Sequence, residues 1–147
     1  MDFMKDSHSV FVAVNALVID RNRILLVKVN RPSHKHSTWG LPGGKVYMNE
    51  SFEDALVREV VEETGISEHQ YSYEFLKIIH DAPGSTVKHI YTLDLTKNIR
   101  EFSFDPQEII DVAWFPLKKE ELKKIKFRSP WVMELIEEQM KELYEWM

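Results

Sequence analysis

The chain of 147 residues contains no cysteine, so it can build neither a disulfide framework nor a thiolate metal site. No apolar stretch approaches the roughly 20 residues needed to span a bilayer. The opening Met1-Asp2-Phe3-Met4-Lys5 lacks the basic-then-apolar order of a secretory signal. Nor is there an excess of positive charge. The formal net charge is −5, which argues against a protein that coats nucleic acid, because that affinity comes from Lys and Arg neutralising phosphates. A small phosphorylated ligand is still allowed, since it needs only local positive charge or a bound cation. Internal repeats and low-complexity segments are also missing. These absences point to a cytoplasmic protein with no membrane association and no stable nucleic-acid partner.

The residues present suit one domain. Hydrophobic residues make up 44% of the chain and charged residues 29%, enough for one substantial core and an ordinary soluble surface. The length fits the usual range of roughly 100 to 150 residues for a domain. Residues 1–9 are polar and read as a flexible N-terminus, leaving 10–147 as a single domain.

Residues 10–19 are nearly all apolar and rich in β-branched side chains, which predicts a strand covered on both faces. Asp20-Arg21-Asn22-Arg23 has turn chemistry, and residues 24–29 read as the hairpin partner. A polar, His-rich loop follows over 31–38. Trp39-Gly40-Leu41-Pro42-Gly43-Gly44 then excludes a long regular element. The helix Phe52–Thr64 has legible ends: Ser51 as N-cap, Glu53 and Asp54 in the first turn, and Gly65 at the left-handed C′ position. Residues 71–79 and 87–95 read as strands with a turn at 82–85, and 111–115 as a short strand. Residues 117–123 suit a short helix. From Trp131 onward, Val132, Leu135, Ile136, Met140 and Leu143 recur at helical spacing. Strands mixed with two sizeable helices predict an α/β fold, a sheet packed by helices on its faces.

The helix over Phe52–Thr64 interrupts its own apolar pattern. At about 100° per residue, Phe52, Ala55, Leu56 and Val60 fall in one arc. Glu59 and Glu63 lie inside that arc and Glu62 sits beside it. Taken by composition, a Glu-rich helix end is a solvated face. Carboxylates placed on the core side are costly without a counter-ion, because like charges at i,i+3 and i,i+4 repel more as water is removed. Arg58 can pair with Glu62, yet one guanidinium cannot neutralise three carboxylates. A hard divalent cation can, and oxygen-only ligands suit Mg²⁺, with Mn²⁺ as a substitute. Gly43-Gly44 would let the backbone approach a ligand closely.

Over residues 44–66 the chain resembles the Nudix box, G-x5-E-x7-R-E-U-x-E-E-x-G-U with U bulky and aliphatic. The matching residues are Gly44, Glu50, Arg58, Glu59, Val60, Glu62, Glu63, Gly65 and Ile66. No fixed position is missing, and that many set identities arise by chance roughly once in 10⁸ starting points. The resemblance implies a mixed β-sheet packed between helices in an α/β/α sandwich. It also implies Mg²⁺-dependent hydrolysis of a nucleoside diphosphate linked to another moiety. By the same resemblance Glu59, Glu62 and Glu63 would be metal ligands, with the Gly44 carbonyl a further candidate. Arg58 would orient the carboxylates, and Glu50 would hold the loop and could reach the metal shell. The general base differs among family members. Glu59 and Glu62 are candidates, as is Glu108, six residues before the strand residue Trp114.

Other signals are weaker. Arg31, His34, Lys35 and His36 form a basic loop that could attract phosphates, Arg31 and Lys35 foremost, although surface Lys and His residues are usually only solvated. Tyr47, Tyr91 and Trp131 could stack on a base, Tyr47 foremost, or simply fill the core. His80 and His89 are expected to be satisfied strand histidines, and residues 118–126 an exposed charged face. The chain's compactness resembles the small nucleoside triphosphate pyrophosphatases of the mutator type. Ala82-Pro83-Gly84 lies near where ADP-ribose pyrophosphatases of the family carry a proline, which keeps ADP-ribose or a nucleotide sugar as an alternative. A non-catalytic nucleotide sensor is an alternative of another class, and an RNA-decapping factor is disfavoured by the acidic charge. The substrate partner would be a small nucleotide or its derivative, and the protein a monomer or homodimer.

Overall fold

A computed structural model describes residues 10–30, 38–81 and 85–145, with side chains as far as Leu143. The readings above that fall on residues 1–9, Arg31, His34, Lys35, His36 and Ala82-Pro83-Gly84 lie outside the described residues.

The chain begins with a hairpin, β1 (Phe11–Asp20) and β2 (Arg23–Val29). Arg21 and Asn22 both take positive φ, 52° and 64°, the backbone of a two-residue turn whose twist matches its strands. The two strands then part. They pair only at Ile19↔Ile24 and Asp20↔Arg23. Beyond that point β1 pairs instead with β4 (Gly43–Lys45), and β2 with β3 (Trp39–Gly40) and β7 (Ile109–Pro116). On its other edge β1 runs parallel to β6 (Thr86–Leu95), which pairs antiparallel with β5 (Tyr71–Asp81). The sheet is therefore mixed, and its divergence puts the glycines of β4 on the edge of β1 that β2 has left.

Alternation along the strands sends side chains to two cores. Val14, Ala16, Val18, Leu25 and Val27 pack with Ala55, Leu56 and Val60 of α1 (Phe52–Thr64). Leu17, Ile24 and Leu26 pack with Leu122 of α2 (Lys119–Leu122) and with Val132, Leu135 and Ile136 of α3 (Pro130–Glu145). Each fully buried Leu or Ile contributes about 2 kcal/mol of transfer free energy. Burial on both faces is why β1 and β2 read as continuous apolar runs. The expected α/β arrangement, a mixed sheet between helices, is what the chain adopts.

Two expectations need correction. Phe52 is 37% exposed, because a first-turn side chain leans back toward the helix N-terminus. Its ring rests instead on His89, centroids 4.3 Å apart. Leu143, placed in the apolar stripe of α3, is 45% exposed, and the helix surface there leaves the core cluster that ends with Met140.

Candidate active site

Helix α1 starts where Ser51 Oγ accepts the Asp54 N–H at 3.0 Å. It stops at Gly65, whose φ of +81° lets its N–H turn back to the Val61 carbonyl. Between these caps the two interrupting carboxylates are buried: Glu59 is 9% exposed and Glu63 8%. Glu62 stays at the rim with its side chain 42% exposed.

The carboxylates are held by two groups, the Gly43 N–H and the Arg58 guanidinium. Glu63 Oε1 accepts the Gly43 N–H at 2.6 Å. Glu59 lies against Gly44 so closely that a Cβ there would sit 2.6 Å from its carboxylate. Glycine at 44 thus leaves the room in which the Glu59 carboxylate sits. Arg58 joins most of the rest. Its Nε and Nη2 donate to both oxygens of Glu50, at 2.7 and 3.0 Å. Its Nη1 donates to Glu59 at 2.8 Å and Glu62 at 3.3 Å, and Nη2 also reaches the Lys45 carbonyl at 3.0 Å. The guanidinium lies 3.8 Å over the ring of Tyr47. A planar fork suits this bidentate, stacked role in a way an ammonium does not.

Protonation follows these contacts. The Arg58 hydrogen bonds, helped by the Tyr47 N–H, hold Glu50 down at about 2. Arg58 itself is held protonated mainly by Glu50. Burial pushes the Glu63 carboxyl up to about 8; Gly43 and Arg128 oppose that rise, and Glu59 and Glu108 add to it. Burial likewise pushes Glu59 up against the pull of Arg58, with Glu62 and Glu108 adding repulsion.

Glu59 and Glu63 face a cleft of about 440 Å³. Gly43, Gly44, Glu59 and Glu63 line one part of it, Glu108 and Gln107 another, and Lys45, Lys88 and Arg128 bring positive charge. The Glu108 carbonyl accepts the Asn30 N–H at 2.8 Å, tying its turn to the end of β2. Among the described residues no three acidic or histidine side chains are gathered closely enough to hold a metal ion as they stand. Glu59 and Glu62 share the Arg58 guanidinium while Glu63 is turned to the Gly43 N–H, which limits their repulsion. The donor set nevertheless fits a hard divalent cation: carboxylate oxygens, two of them buried with raised proton affinity, beside a glycine backbone.

Of the residues singled out from sequence, Gly44, Glu59, Glu63 and Glu108 line the cleft, and Arg58 and Glu62 stand behind it in the ion-pair network. Tyr47 supports Arg58 and does not line the cleft. Tyr91 is 4% exposed, in the core. Arg31 and Lys35 lie outside the described residues. His89 is not the satisfied histidine expected, since its buried Nδ1 has no hydrogen-bond partner among the described residues. Sequence reasoning missed Asn15, Lys45, Lys88 and Arg128. Asn15 had a readable signal, one amide inside an apolar strand; the others converge only through the fold.

A NUDIX domain model matches residues 10–135. The m7GpppN-mRNA hydrolase dcap-2 of Caenorhabditis elegans is 33% identical over 109 residues, 69% of this chain and 13% of that protein. The 8-oxo-dGTP diphosphatase of Proteus vulgaris is 32% identical over 80 residues, 54% of this chain and 70% of that protein. The chain thus spans a small part of the first relative and most of the second. The solved NUDIX domain of Shewanella oneidensis NrtR, complexed with ADP ribose, superposes with a TM-score of 0.72 at 26% identity, covering 95% of this chain and 92% of that one.

Proposed function

The chain belongs to the Nudix hydrolase family, and from that membership we propose that it cleaves a phosphoanhydride bond in a nucleoside diphosphate linked to another moiety. Within that class we assign it as a nucleoside triphosphate pyrophosphatase of the mutator type, acting in the cytoplasm through residues 10–147 as one catalytic domain. The observation that carries the reading is the pair of buried carboxylates, Glu59 and Glu63, facing one cleft against the glycines of β4. Similarity to the 8-oxo-dGTP diphosphatase over 70% of its length supports the finer assignment.

Glu59, Glu62 and Glu63 would hold Mg²⁺, or Mn²⁺ in its place, with the Gly44 carbonyl available as a further oxygen. When bound, the cation supplies positive charge to the phosphoryl oxygens and helps acidify the attacking water. The protein's own contribution is placement. The Gly43 N–H fixes Glu63, and Arg58 fixes Glu59 while drawing Glu62 and Glu50 toward the same face. Glu108 or Glu59 would take the proton from water; that both line the cleft, and that burial raises the proton affinity of Glu59, supports this reading.

The test is hydrolysis of a panel of (d)NTPs, ADP-ribose, nucleotide sugars, dinucleoside polyphosphates and capped RNA, with Mg²⁺, Mn²⁺ or EDTA. We expect metal-dependent release of nucleoside monophosphate and pyrophosphate from a triphosphate. Glu62→Gln and Glu63→Gln should each slow it on the order of 10²–10³-fold, since metal charge stabilisation amounts to several kcal/mol. No cleavage of any compound, or full activity in both variants, would overturn the reading. ADP-ribose cleavage is the second reading, favoured by the bound ADP ribose of the superposed NUDIX domain. Tight nucleotide binding without turnover under any metal would mark a sensor. Turnover of capped RNA alone would place the chain with the decapping relative.

A further inference from the structure

Glu108 is an exposed residue, so its place in the cleft depends on how its backbone is held. Upstream, the Ser103 N–H donates to the Thr64 carbonyl at 3.1 Å and ties the incoming segment to the C-terminus of α1. Residues 105–108 then form a tight turn. The Asp105 carbonyl accepts the N–H groups of Glu108 and Ile109, at 3.0 and 2.9 Å. Its side-chain Oδ1 accepts the Gln107 N–H at 2.9 Å, an aspartate closing a turn two residues on. Downstream, β7 carries a bulge against β2. Asp111 pairs with Lys28 and Ile109 with Val29, which leaves Ile110 as the extra residue. Ile109 is 1% exposed and Ile110 44%. The bulge therefore seats Ile109 in the core and anchors the residue beside Glu108, the re-aiming that bulges perform next to a site.

One residue joins this turn to the sheet. Asn30, the first residue past β2, donates its backbone N–H to the Glu108 carbonyl at 2.8 Å and its Nδ2 to the Gln107 carbonyl at 3.2 Å. Two successive carbonyls of the turn are thus held from one position. The first bond is open to most residue types, whereas the second needs a side-chain donor of this reach. We propose that Asn30 is a positioning residue for the reaction, holding the 105–108 turn so that the Glu108 carboxylate stays in the cleft shared with Glu59 and Glu63. This rests on the cleavage reading above and on Glu108 as the base within it. Asn30 itself lines the cleft, so the rival role is direct contact with substrate. The two roles differ in kinetics. A substrate contact acts through KM, whereas a displaced base costs rate, about 10²-fold for a misplacement of about 1 Å.

The experiment is a double-mutant cycle on a compound of the panel that the wild type cleaves. Asn30→Ala should lower kcat about 5- to 20-fold and leave KM within about 2-fold. In a Glu108→Gln background the same substitution should change kcat by less than about 2-fold, because the group it positions no longer acts as a base. Equal losses in the two backgrounds overturn the proposal. So does a raised KM with kcat intact, which would make Asn30 a substrate contact. A second readout needs no turnover. In EDTA, amide hydrogen exchange at Glu108 and Ile109 should speed up about 5-fold in Asn30→Ala while the amides of α1 keep their wild-type rates. Unchanged exchange at both residues counts against the proposal with equal force. If Asn30→Ala does not fold, the isosteric Asn30→Asp, which faces the Gln107 carbonyl with an acceptor, should give the same cycle. Cleavage by the wild type with Glu108→Gln fully active sinks this inference and spares the cleavage reading, which has Glu59 as its other base. A wild type that cleaves nothing on the panel ends the cleavage reading and this inference with it.

Discussion

Arg58 spends all three of its nitrogens on four acceptor groups, Glu50, Glu59, Glu62 and the Lys45 carbonyl. Lysine at this position keeps the charge but cannot reach Glu50 with two parallel bonds while holding Glu59. Arg58→Lys is therefore expected to lower kcat by about 10- to 100-fold, the usual effect of removing the support of a metal ligand. The unfolding free energy should fall by about 1–2 kcal/mol, charged hydrogen bonds discounted for partial solvent screening. Steady-state kinetics and urea denaturation measure both, and wild-type kcat would count against the positioning role. The sequence showed the carboxylates because a 3.6-residue period makes an acidic residue inside an apolar arc visible. Helical spacing also paired Arg58 with Glu62, but Glu50 came only through the family pattern, since its contact with Arg58 spans eight positions and no helical period covers it. Lys88 and Arg128 left no local trace. They share with Glu63 a cleft that strand order creates.

At the scale of elements, α1 and β4 use glycine for two separate reasons, and the reasons predict different losses. Gly65 ends α1 at φ +81°, and a Cβ there would meet Ser103 Oγ at 2.3 Å. Gly65→Ala should destabilise the fold by about 1–3 kcal/mol, through left-handed strain as well as the clash. At Gly44 the obstacle is the end of a flexible side chain, the Glu59 carboxylate. Gly44→Ala should fold with a nearly unchanged urea midpoint while Glu59 swings away and kcat falls at least 10-fold. A Gly44→Ala protein that loses stability but keeps kcat would refute this division. The same elements show what the sequence could and could not yield. Ser51 and Gly65 announced the ends of α1 because caps are local chemistry. The strands β3 and β4, of two and three residues, are too short for any periodicity, and the sequence there excluded only a long regular element. The parallel pairing of β1 with β6 depends on what is stacked on each face, which no single segment encodes.

The whole molecule carries the electrostatic cost of its site, and pH exposes it. Glu63 has an ordinary value of 4.5 and is pushed up to about 8 in the folded chain. Between those values the folded state holds a proton that the unfolded state releases, so stability falls as pH rises through the window. Glu59 shifts in the same direction. Glu50, held down at about 2, acts oppositely: its contribution is present above its ordinary value and disappears as pH falls toward 2. In EDTA the protein should therefore be most stable near pH 5 and lose a few kcal/mol by pH 8, lowering Tm by about 10 °C in a domain of this size. Mg²⁺ requires its carboxylate ligands deprotonated, so adding it should raise Tm little at pH 5 and strongly at pH 8. Glu63→Gln should flatten the EDTA profile and remove most of the Mg²⁺ increment together, because one carboxyl is the source of both. Calorimetry across pH 5 to 8, with and without Mg²⁺, decides the matter. A Tm that holds level or climbs with pH in EDTA would mean that the buried carboxylates are neutralised from within the protein. In that case the raised proton affinity of Glu59 and Glu63 would no longer speak for a cation.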